Sequence, residues 1–141
     1  MADYAAIAQQ FVTFYYGKFD ENRQQLASLY RDHSMLTFEG QPFQGSESIT
    51  KKLTSLPFQK VQHRVTTMDA QPASINGADI IVSVTGLLVV DDSQNPLQFS
   101  QTFRLVPDGN TYYVYEKISP RMYTKRSHLN RFNDIFRLNY G

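Results

Sequence analysis

Ile7, Phe11, Phe14 and Tyr15 recur at helical spacing behind Asp3, a good N-cap residue, so the pattern predicts an amphipathic first helix with an aromatic stripe, ending at Gly17. Leu26, Leu29 and Tyr30 share one face of a second helical segment. A third helix opens at Gly45-Ser46-Glu47, turns Ile49, Leu53 and Leu56 inward, and closes at Pro57. The period then changes to two. Val61, His63, Val65 and Thr67 alternate with Lys60, Gln62, Arg64 and Thr66, the spacing of a strand with two different faces. A turn at Asn76-Gly77 leads into the β-branched run Ile80 to Val90, where Gly86 marks a bulge or bend. A turn over Asp91 to Pro96 precedes the alternating run Leu97 to Leu105, and Pro107 to Asn110 turns the chain into Thr111 to Tyr115. Helices followed by long strands joined by short turns give an α+β domain, with an antiparallel sheet wrapped around helices on one face.

Composition narrows the function. The 141 residues are 41% hydrophobic and 13% aromatic, enough for one globular domain with one core. A net charge of +1 excludes a strongly basic nucleic-acid binder. Cysteine is absent, which removes disulfides, cysteine-ligated metals and a cysteine nucleophile. The start Met1 to Ile7 lacks a signal-peptide pattern and no run is long and apolar enough to span a bilayer, so the expectation is a soluble protein with no membrane partner.

Several unbroken blocks resemble the nuclear transport factor two family, and its fungal members in particular. They are Phe14-Tyr15-Tyr16, Leu36 to Gly40, Phe43-Gln44-Gly45, Leu56 to His63, Asp69 to Pro72 and Asn133 to Leu138. The resemblance implies a cone-shaped fold, a homodimer, and no catalysis. It also implies binding of the GDP form of the small GTPase Ran and of phenylalanine–glycine repeats of nucleoporins. Such a protein shuttles between cytoplasm and nucleus and concentrates at the nuclear pore, with no cofactor.

Residue by residue, the resemblance assigns an apolar pocket for an aromatic side chain of Ran to Phe38, Leu56, Val61, Leu97, Phe136 and Leu138. It assigns the acidic rim to Glu39, Asp91 and Asp92, with Ser93 standing near where a further acid lies in the family. Tyr4 matches an exposed aromatic near the amino terminus that contacts nucleoporin repeats, commonly Trp in relatives. Ile135, on the side of its strand opposite Phe136, is assigned to the dimer interface. Taken singly, the apolar positions are ordinary core and the acids are ordinary turn residues.

Two rival readings stay open. The same cone houses isomerases and dehydratases, and Asp69, Asp134, His63 and Tyr30 are the available acid, base and oxyanion groups. Alternatively, related domains serve as dimerising scaffolds in RNA export. His33, His63 and His128 have no metal-ligand spacing, and no phosphate-binding loop is present.

The segment Tyr115 to Arg131 has no counterpart in the resemblance, where Val114 runs directly into Phe132. Its 17 residues include five Lys or Arg against one Glu, so the rest of the chain is net acidic. The segment reads as a retained intron: Val-Tyr-Glu is encodable with a splice-donor-like GTATGAG, and Arg131 as AGG. A family-specific loop is the alternative. Because Pro120 cannot donate to a ladder, the expectation is that 115–131 loops out and the strand resumes at Phe132.

Overall fold

Asp3 caps the first helix, α1 (Tyr4–Glu21), its carboxylate accepting from the Ala5 and Ala6 amides at 3.1 and 3.3 Å. The computed structural model describes residues 3–75, 78–91 and 95–124. The buried face of α1 is Ala8, Phe11, Val12, Tyr15, Tyr16 and Phe19, a three-four spacing that confirms the amphipathic reading but shifts the stripe by one residue. Phe14 is half exposed. The helix also runs through Gly17, where the pattern placed its end: a mid-helix glycine costs about 1 kcal/mol, and burying Phe19 in the next turn outweighs it.

Asn22 ends α1 and begins a 3₁₀ segment, Arg23–Leu29, which buries Leu26. Tyr30, expected on that helical face, instead starts strand β1 (Tyr30–Phe38). A two-residue turn, Glu39-Gly40, leads to β2 (Gln41–Gln44), and helix α2 (Ser46–Thr54) follows with Ile49 and Leu53 buried as expected. Then come β3 (Val61–Pro72), β4 (Ile80–Val90), β5 (Leu97–Asp108), β6 (Thr111–Ser119) and β7 (Tyr123–Thr124). The turn expected at Asn76-Gly77 lies outside the described residues.

The sheet order is β2-β1-β6-β5-β4-β3, with β7 beside the start of β5. All pairs are antiparallel except β1 with β6. This parallel contact closes the topology, since the whole β3–β4–β5 meander separates the two strands in sequence. The helices cover one face, where Val82, Val84, Leu88, Phe99, Phe103 and Leu105 meet the aromatic stripe of α1. Phe103 packs edge-on against Tyr15 at 5.1 Å between ring centroids. Curvature is built in at Gly86: a Cβ there would lie 2.2 Å from the Arg64 carbonyl oxygen, and the β3 register shifts between Val65 and Thr67 directly opposite.

One expectation fails. Tyr115–Ser119 do not loop out but continue β6, paired with β1 and β5 on its two sides. Those residues follow Val114 without any loop to close, and they satisfy the backbone groups that both neighbours present. Pro120 is accommodated because it falls in a break. Between Ile118, opposite Thr102, and Tyr123, opposite Gln98, the chain carries one residue more than β5, a bulge that needs no donor from the proline.

Candidate functional site

The strand directions bring five ends together at one edge of the sheet: Phe38 of β1, Ser119 of β6, Leu97 of β5, Val90 of β4 and Val61 of β3. Phe38 and Val61 are buried members of the main core, and Leu56 and Leu97 are half-buried against it. Four of the six expected pocket residues are thus in one apolar cluster, with Phe58, Val90 and Met122 packed on the same core. Phe136 and Leu138 lie outside the described residues, as do Asp92 and Ile135.

The expected rim residues Glu39 and Asp91 lie in turns. Glu39 and Asp91 are the two non-glycine residues with positive φ among the described residues, each at 50°. In the left-handed region an L side chain crowds its own carbonyl, and Asp tolerates this better than Glu. Glu39 is exposed, and its amide donates to the Ser119 carbonyl at 2.9 Å, fixing the β1–β2 turn against β6. With Gly40 also at positive φ and Phe38 paired to Gln41, this is the two-residue hairpin geometry that favours Asn-Gly. Glu39 is therefore a poor choice for folding.

Asp91 is engaged differently. Its Oδ1 accepts from the Gln59 and Lys60 amides at 3.2 and 2.8 Å, and its own amide donates to the Lys60 carbonyl at 2.7 Å. One carboxylate oxygen thus pins the approach to β3. Arg23, which pattern reading missed, holds the other side of that approach by donating to the carbonyls of Leu53 and Phe58. Its long reach from the 3₁₀ segment leaves no periodic signal. Lys52, also missed, lies over the Phe38 ring at 5.2 Å and the Phe43 ring at 5.6 Å. Tyr4 is exposed at the start of α1, on the helix that also exposes Phe14.

The groups that an enzyme would use are not gathered. His63 is buried between the rings of Tyr16, Phe19 and Phe99, and its Nδ1–H donates to Asp20 at 2.6 Å. Burial holds its imidazole below the usual pKa, although Asp20 pulls the other way. Tyr30 is fully enclosed and its phenol is pushed up by burial. Asp69 is exposed on β3, and Asp134 lies outside the described residues. His63 with Asp20 is a satisfied structural pair, and no group of three or more metal-binding side chains occurs among the described residues.

Comparison with known proteins identifies the family. The family model described as nuclear transport factor 2 (NTF2) domain matches residues 7–120. Nuclear transport factor 2 of Candida glabrata is 58% identical over 139 residues, covering 99% of this chain and 97% of the relative. That of Eremothecium gossypii is 56% identical over the same length and the same shares. The solved structure of nuclear transport factor 2 from Cryptosporidium parvum superposes with a TM-score of 0.77 at 44% identity, covering 83% of this chain and 93% of that one. The relatives are named nuclear transport factor 2, and the chain belongs to the nuclear transport factor 2 family, as a nuclear transport protein.

Proposed function

We propose that the chain carries the GDP-bound form of Ran into the nucleus, as a homodimer that contacts phenylalanine–glycine repeats while crossing the pore. The observation that carries this reading is the rim. An exposed Glu39 is kept in a backbone conformation that suits asparagine or glycine, directly after a buried Phe38 that shares the apolar core with Val61, against which Leu56 and Leu97 pack. A residue held at a cost to folding points to a binding role. The apolar cluster supplies the seat for an aromatic side chain, a contact worth roughly 2–4 kcal/mol as an interface hot spot. Glu39 supplies a charge for a basic partner residue at its edge. Asp92, Phe136 and Leu138 complete the set by family resemblance.

Tyr4 is the proposed nucleoporin contact, offering a flat apolar face to a phenylalanine side chain. The proposed dimer face is the side of the sheet away from the helices. There Ile81 and Ile118 are exposed around a groove of about 260 Å³ shared with Ala73, Thr102, Arg104 and Glu116. Ile118 stands on the outer side of β6, the side on which Ile135 was expected. The protein then divides between cytoplasm and nucleus, with neither nucleic acid nor membrane among its partners.

Two substitutions at one position test the rim. Glu39→Lys abolishes binding of Ran-GDP in a calorimetric titration while the circular dichroism spectrum stays unchanged. Glu39→Asn raises stability by about 0.5–1 kcal/mol, because it relieves the left-handed strain, and still weakens Ran. Full affinity in both variants would remove Glu39 from the interface.

A further inference from the structure

The second half of β6 is out of phase with the core it covers. Lys117 and Ser119 point inward, each 2% exposed, whereas Ile118 between them is 49% exposed on the outer face. Strands that cover a core place apolar residues inward and polar ones outward. The order is reversed here for three successive residues, so hydrophobic burial does little to hold the stretch in place.

The inward lysine is the costly one. Its Nζ donates to the Tyr15 hydroxyl at 2.9 Å, and that hydroxyl is bonded in turn to Tyr30 at 2.5 Å. The rings of Tyr15, Phe103 and Phe19 lie 4.6, 5.3 and 5.7 Å from the amine. Its titratable neighbours are the Tyr15 phenol from α1, the Tyr30 phenol from β1 and the His63 imidazole from β3; β5 presents the Phe103 ring. Tyr16, also from α1, donates its hydroxyl to Gln101. No carboxylate pairs with the lysine among the described residues, since Asp20 is committed to His63 and Glu116 lies on the outer face near Arg104. An enclosed ammonium without a counter-charge is among the most expensive groups a core can hold.

The same stretch also holds the turn after β1. Ser119, two residues from Lys117 and on the same face, lies opposite Phe38, and its carbonyl accepts from the Glu39 amide at 2.9 Å. Its hydroxyl accepts from Gln101 at 3.2 Å. Past Pro120 the chain is paired again only through the two residues of β7, at Leu97 and Gln98. We infer that Tyr115–Ser119 is a proton-operated latch on the Glu39 turn: when Lys117 gains a proton, the stretch unpairs locally from β1 and β5 and lets the turn go. The ammonium then reaches water, and Glu39 loses the contact that fixes its left-handed backbone against β6. Resting on the reading of Glu39 as the rim that receives Ran, the latch makes that rim looser in acid.

The direction follows from linkage. Burial lowers the Lys117 pKa to about 7 in the closed strand, and release to solvent returns it to the ordinary lysine value of 10.5. The open form therefore binds the extra proton, and its share rises about 30-fold between pH 8.5 and pH 6.

Hydrogen exchange of the full chain, corrected for intrinsic rates, tests this without needing Ran. Protection of 115–119 and of the Glu39 amide is expected to fall together by about 30-fold from pH 8.5 to pH 6. At pH 6 both exchange faster than β4, and low urea leaves their rates unchanged, as a local opening requires. Lys117→Met and Lys117→Gln, the second of which keeps a donor for Tyr15, abolish the pH response. Exchange of 115–119 at the rate of β4, Glu39 protection that stays constant while 115–119 opens, or a pH response that survives both substitutions would overturn the latch. A Ran-GDP titration reads the consequence separately: affinity of the parent chain relative to Lys117→Gln falls from pH 8.5 to pH 6, and a constant ratio would remove the latch's control of the rim.

Discussion

Deleting Tyr115 to Arg131 is expected to raise the melting temperature by about 10 °C, corresponding to about 3 kcal/mol for a chain of this size, and to tighten Ran-GDP binding at least tenfold. The deletion joins Val114 directly to Phe132, so Phe132 to Phe136 follow Val114 in sequence and are expected to extend β6 in place of Tyr115–Ser119. The inward lysine is lost and Phe136 replaces Ser119 beside Gln101, which now accepts from Tyr16 and donates to Ser119. It also removes five basic residues, and so makes the chain net acidic, in a protein whose proposed task is to receive a basic surface. Thermal melts and titrations of the two purified forms decide the matter. Equal stability and equal affinity would make the segment a benign part of the fold and remove the structural support for reading it as an insertion.

Lys117→Met is expected to stabilise the protein at pH 7 by about 2 kcal/mol. A pKa near 7 in the fold against 10.5 unfolded corresponds to about 4 kcal/mol of unfavourable burial at neutral pH, and methionine gives back part of this by losing the bond to Tyr15. The pH dependence carries the sign. Above pH 7 the folded state has released a proton that the unfolded chain keeps until about 10.5, so stability rises with pH by about 2 kcal/mol from pH 7 to 9. The buried phenols of Tyr15 and Tyr30 act oppositely only above pH 10, where the unfolded chain ionises first. Chemical denaturation at pH 7, 8 and 9 should show this slope in the parent chain and a flat profile in the variant. A slope common to both would exonerate Lys117.

Most of the frame was legible in the sequence because it follows from periodicity. The stripe behind Asp3, the helix ending before Pro57 and the three alternating runs from Val61 to Leu105 each became the element expected. Gly17 misled because local propensity is weaker than the burial of Phe19 beyond it. Tyr30 misled because one aromatic residue fits the end of a helical face and the start of a strand equally well. The parallel pairing of β1 with β6 had no local signature, since it depends on the path of the whole meander. At the site, Phe38 and Glu39 could be named only through the family blocks; nothing in their spacing distinguishes a binding rim from a turn. The positive φ of Glu39 is the structural feature on which the proposed rim rests. Arg23 and Lys52 escaped notice because long side chains reach partners that no local pattern indicates.

The loop-out expectation for 115–131 erred for an instructive reason. A proline bars a continuous ladder, but one extra residue between Ile118 and Tyr123 lets β6 and β7 follow β5 on both sides of the break that holds Pro120. What the proline could not reveal was the mismatch upstream, where Lys117 and Ser119 occupy inward positions.

The proposed carriage of Ran is open to direct titration of the chain with purified Ran loaded with GDP or with GTP. Saturable binding of the GDP form alone is expected, weakened by salt as a charged rim requires and lost in Glu39→Lys. Absence of binding to the GDP form by both the full chain and the chain lacking 115–131, or equal binding of the two nucleotide forms, would contradict it.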